Sequence, residues 1–210
     1  MSPLVLYDNP RSSNALKVRF LLAELGLDYE RRAVPLSHPR PEGYLALNPV
    51  GGIPTLDDGG MALSESHAIL RYLAARAGRE DLIGADPLER ARVDEFLDRL
   101  HTGIRAAFFR HEVPALGYSR ELGGWDTVPR DPQRAAQVAL EIRPTLELLD
   151  AIVGPEAAVL GRFTIADCAL APVLHRTTHT GLDLDPFPRV AALRSSLITR
   201  PAFLAAEPIG

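Results

Sequence analysis

Asn48-Pro49-Val50-Gly51-Gly52-Ile53-Pro54-Thr55-Leu56 decides the reading of this chain. A proline stands immediately ahead of a strand-like run. Proline cannot donate to a β-ladder, so Pro54 is expected at the start of the strand, and a cis Ile53-Pro54 bond there would turn the Ile53 backbone outward. A peptide-like ligand could then pair with Ile53 as an added strand. Taken alone, the same residues also read as an ordinary Pro-Gly loop.

Working outward, Thr55-Leu56-Asp57 and Met61-Ala62-Leu63 are two short strands joined by the turn residues Asp58-Gly59-Gly60. A helix follows from Ser66, with Ile69, Leu70 and Leu73 facing inward and Gly78 closing it. Upstream, Pro3 to Tyr7 is a short apolar run, Asp8-Asn9-Pro10 is a turn, and Val18, Leu21, Leu22 and Leu25 mark a helix that Gly26 stops. Tyr29 to Val34 reads as a second strand, parallel to the first because a helix separates them. After a Pro-rich loop (Pro35, Pro39, Pro41), the order is therefore β-α-β, then β-β-α: an α/β unit.

From Asp86-Pro87 onward the strand signals cease. Helices are expected at about Leu88 to His111, Pro132 to Ile152, Thr164 to His175, Pro188 to Ser195 and Pro201 to Ala206. The expected division is an α/β domain over residues 1–78, a linker over 79–86 and an all-α helical bundle over 87–210.

The bulk properties narrow the chemistry. The 210 residues carry a net charge of −4 and no basic run, which gives no sign of nucleic-acid binding. No apolar stretch approaches the length of a membrane span and no signal sequence is read, so the default location is cytoplasmic. The one cysteine, Cys168, excludes an internal disulfide and any Cys-x-x-Cys site, so thiol chemistry would have to come from a ligand. No metal ligand set is read.

Two further motifs carry chemistry. Ser64-Glu65-Ser66-His67 puts an acid and a hydroxyl at a helix start, where free N–H groups and the dipole attract a carboxylate. Glu65 would complement an ammonium and Ser66 a carboxylate, which together describe a γ-glutamyl group, although Ser66 also reads as a simple N-cap. Arg11-Ser12-Ser13-Asn14 lies between the first strand and first helix. Its hydroxyls are either caps or donors to a bound thiol sulfur, lowering that thiol's pKa from a free value of about 8.5.

The β-α-β then β-β-α order, Ser12, the Asn48-Pro-x-Gly-x-Ile-Pro54 run, the Glu65-Ser66 pair and the helical second half together resemble the glutathione transferase superfamily over essentially the whole chain. The string from Arg11 to Arg19 is similar to the Ser-Ser-Cys motif of zeta-class enzymes and to the serine start of phi-class enzymes, so a serine-type, theta/phi/zeta-like member is implied. The resemblance implies a thioredoxin-like N-terminal domain that binds glutathione as co-substrate, with no cofactor, and a homodimer acting in detoxification. Ser12 is the implied catalytic hydroxyl and Ser13 the second choice. Ile53, Pro54, Glu65 and Ser66 would hold glutathione. The implied electrophile pocket, for a hydrophobic electrophile, takes Asn9, Arg105, Phe108 and Trp125; His101, Arg105 and Phe108 share a helix face by spacing. The loop from Glu112 to Asp131 would act as lid or wall.

Departures from the pattern matter. Gly52 stands where the family often places a side chain on the glycine carboxylate of glutathione, which leaves His38 or Arg40 as substitutes. Asn14 replaces the zeta-class cysteine, which weakens an isomerase role, and the first half has no cysteine for thiol-disulfide exchange. Tyr7 reads as core or cleft lining. A glutathione-dependent isomerase or dehalogenase and a non-catalytic glutathione-binding module are the alternatives. In the helical half, Thr164 and Asp167 form a capping box with Phe163 and Cys168 as a weak staple, a structural feature.

Overall fold

The apolar run near the N-terminus becomes β1 (Leu4–Asp8), and α1 (Ser13–Leu25) and β2 (Tyr29–Ala33) follow it. In the computed structural model, which describes residues 3–118 and 127–207, β1 and β2 pair in parallel, Leu4 opposite Tyr29. Ser12 caps α1, its hydroxyl accepting from the Ala15 N–H at 3.2 Å. At the other end Gly26 adopts φ 61°, the Leu27 N–H reaches the Leu22 carbonyl and the Gly26 N–H the Ala23 carbonyl, the paired bonds of a Schellman stop.

Two more strands complete the sheet. β3 (Thr55–Asp58) pairs antiparallel with β1 and with β4 (Met61–Ser64), giving the order β2-β1-β3-β4. Gly59 and Gly60, at φ 63° and 94°, supply the left-handed turn between β3 and β4 that other residues enter only with strain. The Ile53-Pro54 bond is cis. Between β2 and β3, where the sequence suggests only a Pro-rich loop, lies a short helix, α2 (Glu42–Leu47). It is too short to show periodicity, and Pro41 at its start looks like loop punctuation. α3 (Ser66–Arg76) closes this thioredoxin-like unit.

Beyond a 3₁₀ turn at Glu80–Leu82, the rest is helical: α4 (Pro87–Arg99), α5 (Arg105–Leu116), α6 (Pro132–Glu141), α7 (Arg143–Ile152), α8 (Ile165–Thr180), α9 (Pro188–Ile198) and α10 (Pro201–Ala205). Two of these depart from the sequence expectation. The helix expected from Leu88 to His111 is α4 and α5, joined by a π-helical turn at Leu100–Ile104 and running on to Leu116. The helix expected over Pro132 to Ile152 breaks at Ile142, next to Pro144, which has no N–H to continue the ladder. The segment Glu112 to Asp131, expected as a loop serving as lid or wall, is helical to Leu116, with Tyr118 and Val128 then bridged in both directions; Trp125 lies outside the described residues.

α1 is the hinge of the packing. Every residue from Ala15 to Leu22 is buried, because α8, α3 and α10 pack around α1 and Asp8 of β1 meets it from the sheet. A helix covered all round must bury its polar residues too, here Lys17 and Arg19. Arg19 meets Asp8 at 3.5 Å, and Arg31 on β2 approaches the same carboxylate at 2.5 Å.

The capping box at the start of α8 is present. The buried Asp167 carboxylate accepts from the Thr164 N–H at 2.9 Å and also from the Val159 N–H at 2.8 Å. Asp167→Ala therefore leaves two buried donors without a partner, and we expect a loss of about 2 to 3 kcal/mol in urea denaturation, with activity of the folded fraction retained. Burial raises the Asp167 carboxyl to about 6, against the pull of its hydrogen bonds. With the folded-state pKa above the unfolded one, the contribution of this group is complete below pH 3.8 and is lost as pH rises through about 6. Asp167→Asn should remove that slope, and a specific loss of turnover at full stability would contradict the structural role.

Candidate active site

The N-terminus of α1, the N-terminus of α3, the π turn and one face of α5 enclose a cavity of about 410 Å³. Ser12 and Ser13 enter it from α1, Glu65, Ser66 and His67 from α3, and His101, Arg105, Ala106 and Phe109 from the π turn and α5. Arg176 reaches it from α8 and Tyr118 from beyond α5.

The two serines differ in what they touch. The Ser12 hydroxyl accepts the cap bond from Ala15 and donates to the Ile53 carbonyl at a long 3.4 Å. The Ser13 hydroxyl receives an N–H from Arg105 at 3.4 Å. Beside Ser12, Ile53 is buried at the cis-proline edge, and among the described residues its N–H has no hydrogen-bond partner. An N–H left unpaired at that position suits an incoming acceptor. Glu65 has φ 70°, a left-handed conformation that a non-glycine residue holds only when its surroundings require it, and such residues cluster at ligand sites. Ser66 behind it is buried at the first position of α3.

Beneath the serines lies a basic pair that the sequence did not mark. The Lys17 ammonium, one turn along α1 from Ser13, sits 3.1 Å from His67 Nε2. Burial, helped by Arg105 and opposed by Glu65, pulls Lys17 down to about 7; burial and then Lys17 push His67 down to about 3, so its ring is neutral. The only sequence signal for either was a lysine among apolar positions of α1.

Several expected positions move. Phe108 packs in the core and Phe109 lines the cavity instead. The π turn is the reason: a wider turn before Arg105 advances the helix phase by about one residue, so the face starting at His101 and Arg105 continues to Phe109 and Glu112. Arg40 does not face the cavity, because its guanidinium donates to the carbonyls of Gly51, Pro35 and Ser37 and so fastens the loop beside Ile53. His38 is exposed on that same loop. Asn9 braces the turn after β1, its amide donating to the Val34 carbonyl and its oxygen accepting from the Arg11 N–H, and does not line the cavity. The Tyr7 hydroxyl accepts from Arg32 on β2 at 3.0 Å, and Tyr7 does not line the cavity. Pro54 is buried at the entrance to β3.

No group of three or more His, Cys, Asp or Glu among the described residues could hold a metal ion. No helix among them is long and apolar enough to cross a membrane.

A thioredoxin-like unit whose serine-capped helix faces a cis-proline strand, backed by a helical unit, defines a class: the glutathione S-transferases. The chain belongs to that family, matching the glutathione S-transferase N-terminal domain over residues 2–75 and the C-terminal domain over residues 132–194. It is 32% identical to a maleylacetoacetate isomerase of Pseudomonas aeruginosa, with 97% of this chain and 95% of the relative covered. It is 31% identical to the glutathione S-transferase GstB of Escherichia coli, with 95% of each covered. A theta-class glutathione S-transferase of Xanthomonas axonopodis pv. citri, solved with glutathione bound, superposes with a TM-score of 0.82 at 26% identity, over 100% of this chain and 99% of that one.

Proposed function

We propose that the protein binds glutathione in this cleft, ionises its thiol and delivers the thiolate to an electrophilic carbon of a second small molecule. The observation that carries this reading is the Ser12 hydroxyl, which lines the cleft and lies 3.4 Å from the Ile53 carbonyl at the cis-proline edge. In this reading the cysteinyl residue of glutathione pairs with Ile53 as an added strand, Pro54 fixes that edge, and the sulfur lies at Ser12. The γ-glutamyl end goes to Glu65 and Ser66, at the positive end of α3. The glycine carboxylate goes to the loop carrying His38, which Arg40 holds in place. Glutathione is a co-substrate, and the second substrate sits against Phe109 and Tyr118.

The catalytic gain comes from supplying a thiolate at the working pH and holding it next to its target. Glutathione-dependent isomerisation of an unsaturated acid is a second reading, favoured by the similarity to maleylacetoacetate isomerases; it regenerates glutathione, whereas conjugation consumes it. Asn14 in place of the zeta-class cysteine weighs against it. A homodimer, with uncovered Met61 on β4 and Leu88 on α4 near its contact face, and a cytoplasmic setting in which glutathione stays reduced, belong to the same proposal.

Calorimetric titration with glutathione tests the proposal first. Saturable one-site binding, weakened when Glu65→Ala removes the partner of the ammonium, is expected. Absence of binding by the folded wild-type chain would sink it. A panel of electrophiles, scored for glutathione consumed against product formed, then separates transfer from isomerisation.

A further inference from the structure

The wall of the cavity opposite Glu65 carries more positive charge than it neutralises. Arg105 on α5 and Arg176 on α8 share a single carboxylate, Glu112, whose side chain is only 5% exposed. Arg176 takes the better position: its Nη1 donates to Glu112 Oε1 at 3.2 Å and its Nη2 to the Arg11 carbonyl at 2.7 Å. Arg105 is left with Ser13 at 3.4 Å, while its Nη1 stands 3.7 Å from Glu112, too far for a hydrogen bond. That Nη1 is shielded from solvent and, among the described residues, has no hydrogen-bond partner.

A guanidinium donor in that position costs free energy unless something completes it. Its plane is already fixed, because the Arg105 guanidinium carbon lies 4.8 Å above the Phe109 ring, which itself meets Tyr118 edge-on at 5.4 Å. Two guanidiniums against one carboxylate leave one surplus positive charge, and a fixed guanidinium edge matches a planar monoanion in geometry as well as sign.

We propose that the second substrate is an electrophile bearing a carboxylate, held by the Arg105 guanidinium where it lines the cavity, with Arg176 and Glu112 setting the orientation of that group. The inference rests on the glutathione-binding reading for the identity of the nucleophile, and it names the class of molecule the nucleophile meets. Because Arg105 also touches Ser13, next to Ser12, the carboxylate lies within one small molecule's length of the sulfur. The aromatic wall takes the flat, apolar part of the same molecule.

The test is a matched pair of unreactive probes, para-nitrobenzoate and para-nitrobenzamide, titrated calorimetrically into the enzyme saturated with S-methylglutathione. The wild type should bind the carboxylate at least about tenfold more tightly than the amide. Arg105→Gln should bring that ratio close to one, and Arg105→Lys, which keeps the charge but not the fork, should retain part of it. A wild-type ratio near one overturns the proposal, and so does a ratio that survives in folded Arg105→Gln. Turnover of chlorodinitrobenzoate relative to its methyl ester, each divided by its uncatalysed rate with glutathione, should show the same preference. If glutathione itself fails to bind, the proposed function falls, while the nitrobenzoate titration of the unliganded enzyme still reports on the Arg105 subsite.

Discussion

Ser12→Ala is expected to lower glutathione-dependent turnover by about 10²- to 10³-fold, the loss typical of removing one hydrogen-bond donor aimed at a reacting anion. The Ser12 hydroxyl has two roles. Its oxygen caps α1 by accepting from Ala15, and its proton makes only a long contact to the Ile53 carbonyl at 3.4 Å. A bound thiolate is a stronger acceptor than that carbonyl, so the hydroxyl can turn to it without giving up the cap. Alanine loses both, and the cap alone costs about 0.5 to 2 kcal/mol of stability. Turnover must therefore be compared where both proteins are fully folded. Glutathione affinity should change little, and the bound thiol should titrate closer to its free value of about 8.5 in ultraviolet thiolate absorbance. Unchanged turnover would transfer the role to Ser13, whose hydroxyl already belongs to the Arg105 subsite.

Asp8→Ala should cost the fold about 3 to 5 kcal/mol in urea denaturation, by removing one partner of a buried ion pair. The Asp8 side chain is fully buried, with Arg19 also buried at 3.5 Å and Arg31 at 2.5 Å. Among the described residues Arg19 then keeps the carbonyls of Glu207 and Pro10, which cannot neutralise it. Because Arg31 also pairs with Glu207, the cluster ties β1, α1 and β2 to the end of the chain. The paired variant Asp8→Leu with Arg19→Met replaces the charges with apolar volume and should recover most of the loss, as buried ion pairs contribute little beyond an apolar pair of the same size. A single Asp8→Ala variant within about 1 kcal/mol of the wild type would show that water reaches this cluster.

How much could be read in advance differs from one residue to the next. Asp8 shows the limit: beside Asn9 and Pro10 it looks like a turn residue, and nothing nearby in sequence announces Arg19 or Arg31 as its partners. Lys17 was similarly mute, since its burial comes from α3 and the helical half closing over α1. Phe108 was misplaced by counting ideal helical turns across a π turn, whose wider pitch no residue type there signals. Arg176, essential to the charge balance of the cleft, lies on a helix that in sequence reads only as core and capping box.

By itself the sequence determined whatever short-range physics controls. It set the strand that Pro54 opens, the left-handed stops at Gly26 and Gly59–Gly60, the capping box of Thr164 and Asp167, and the presence of Ser12, Glu65 and Ser66 at helix starts. Caps, turns and proline act within about four residues, so their cause is visible where they stand. Only the tertiary structure decided which charges are buried together, which face of α5 lines the cleft, and that Arg40 braces a loop while, among the described residues, one Arg105 donor stays unpaired. Those outcomes depend on desolvation and on contacts between residues tens of positions apart, and neither is encoded in any local stretch of the chain.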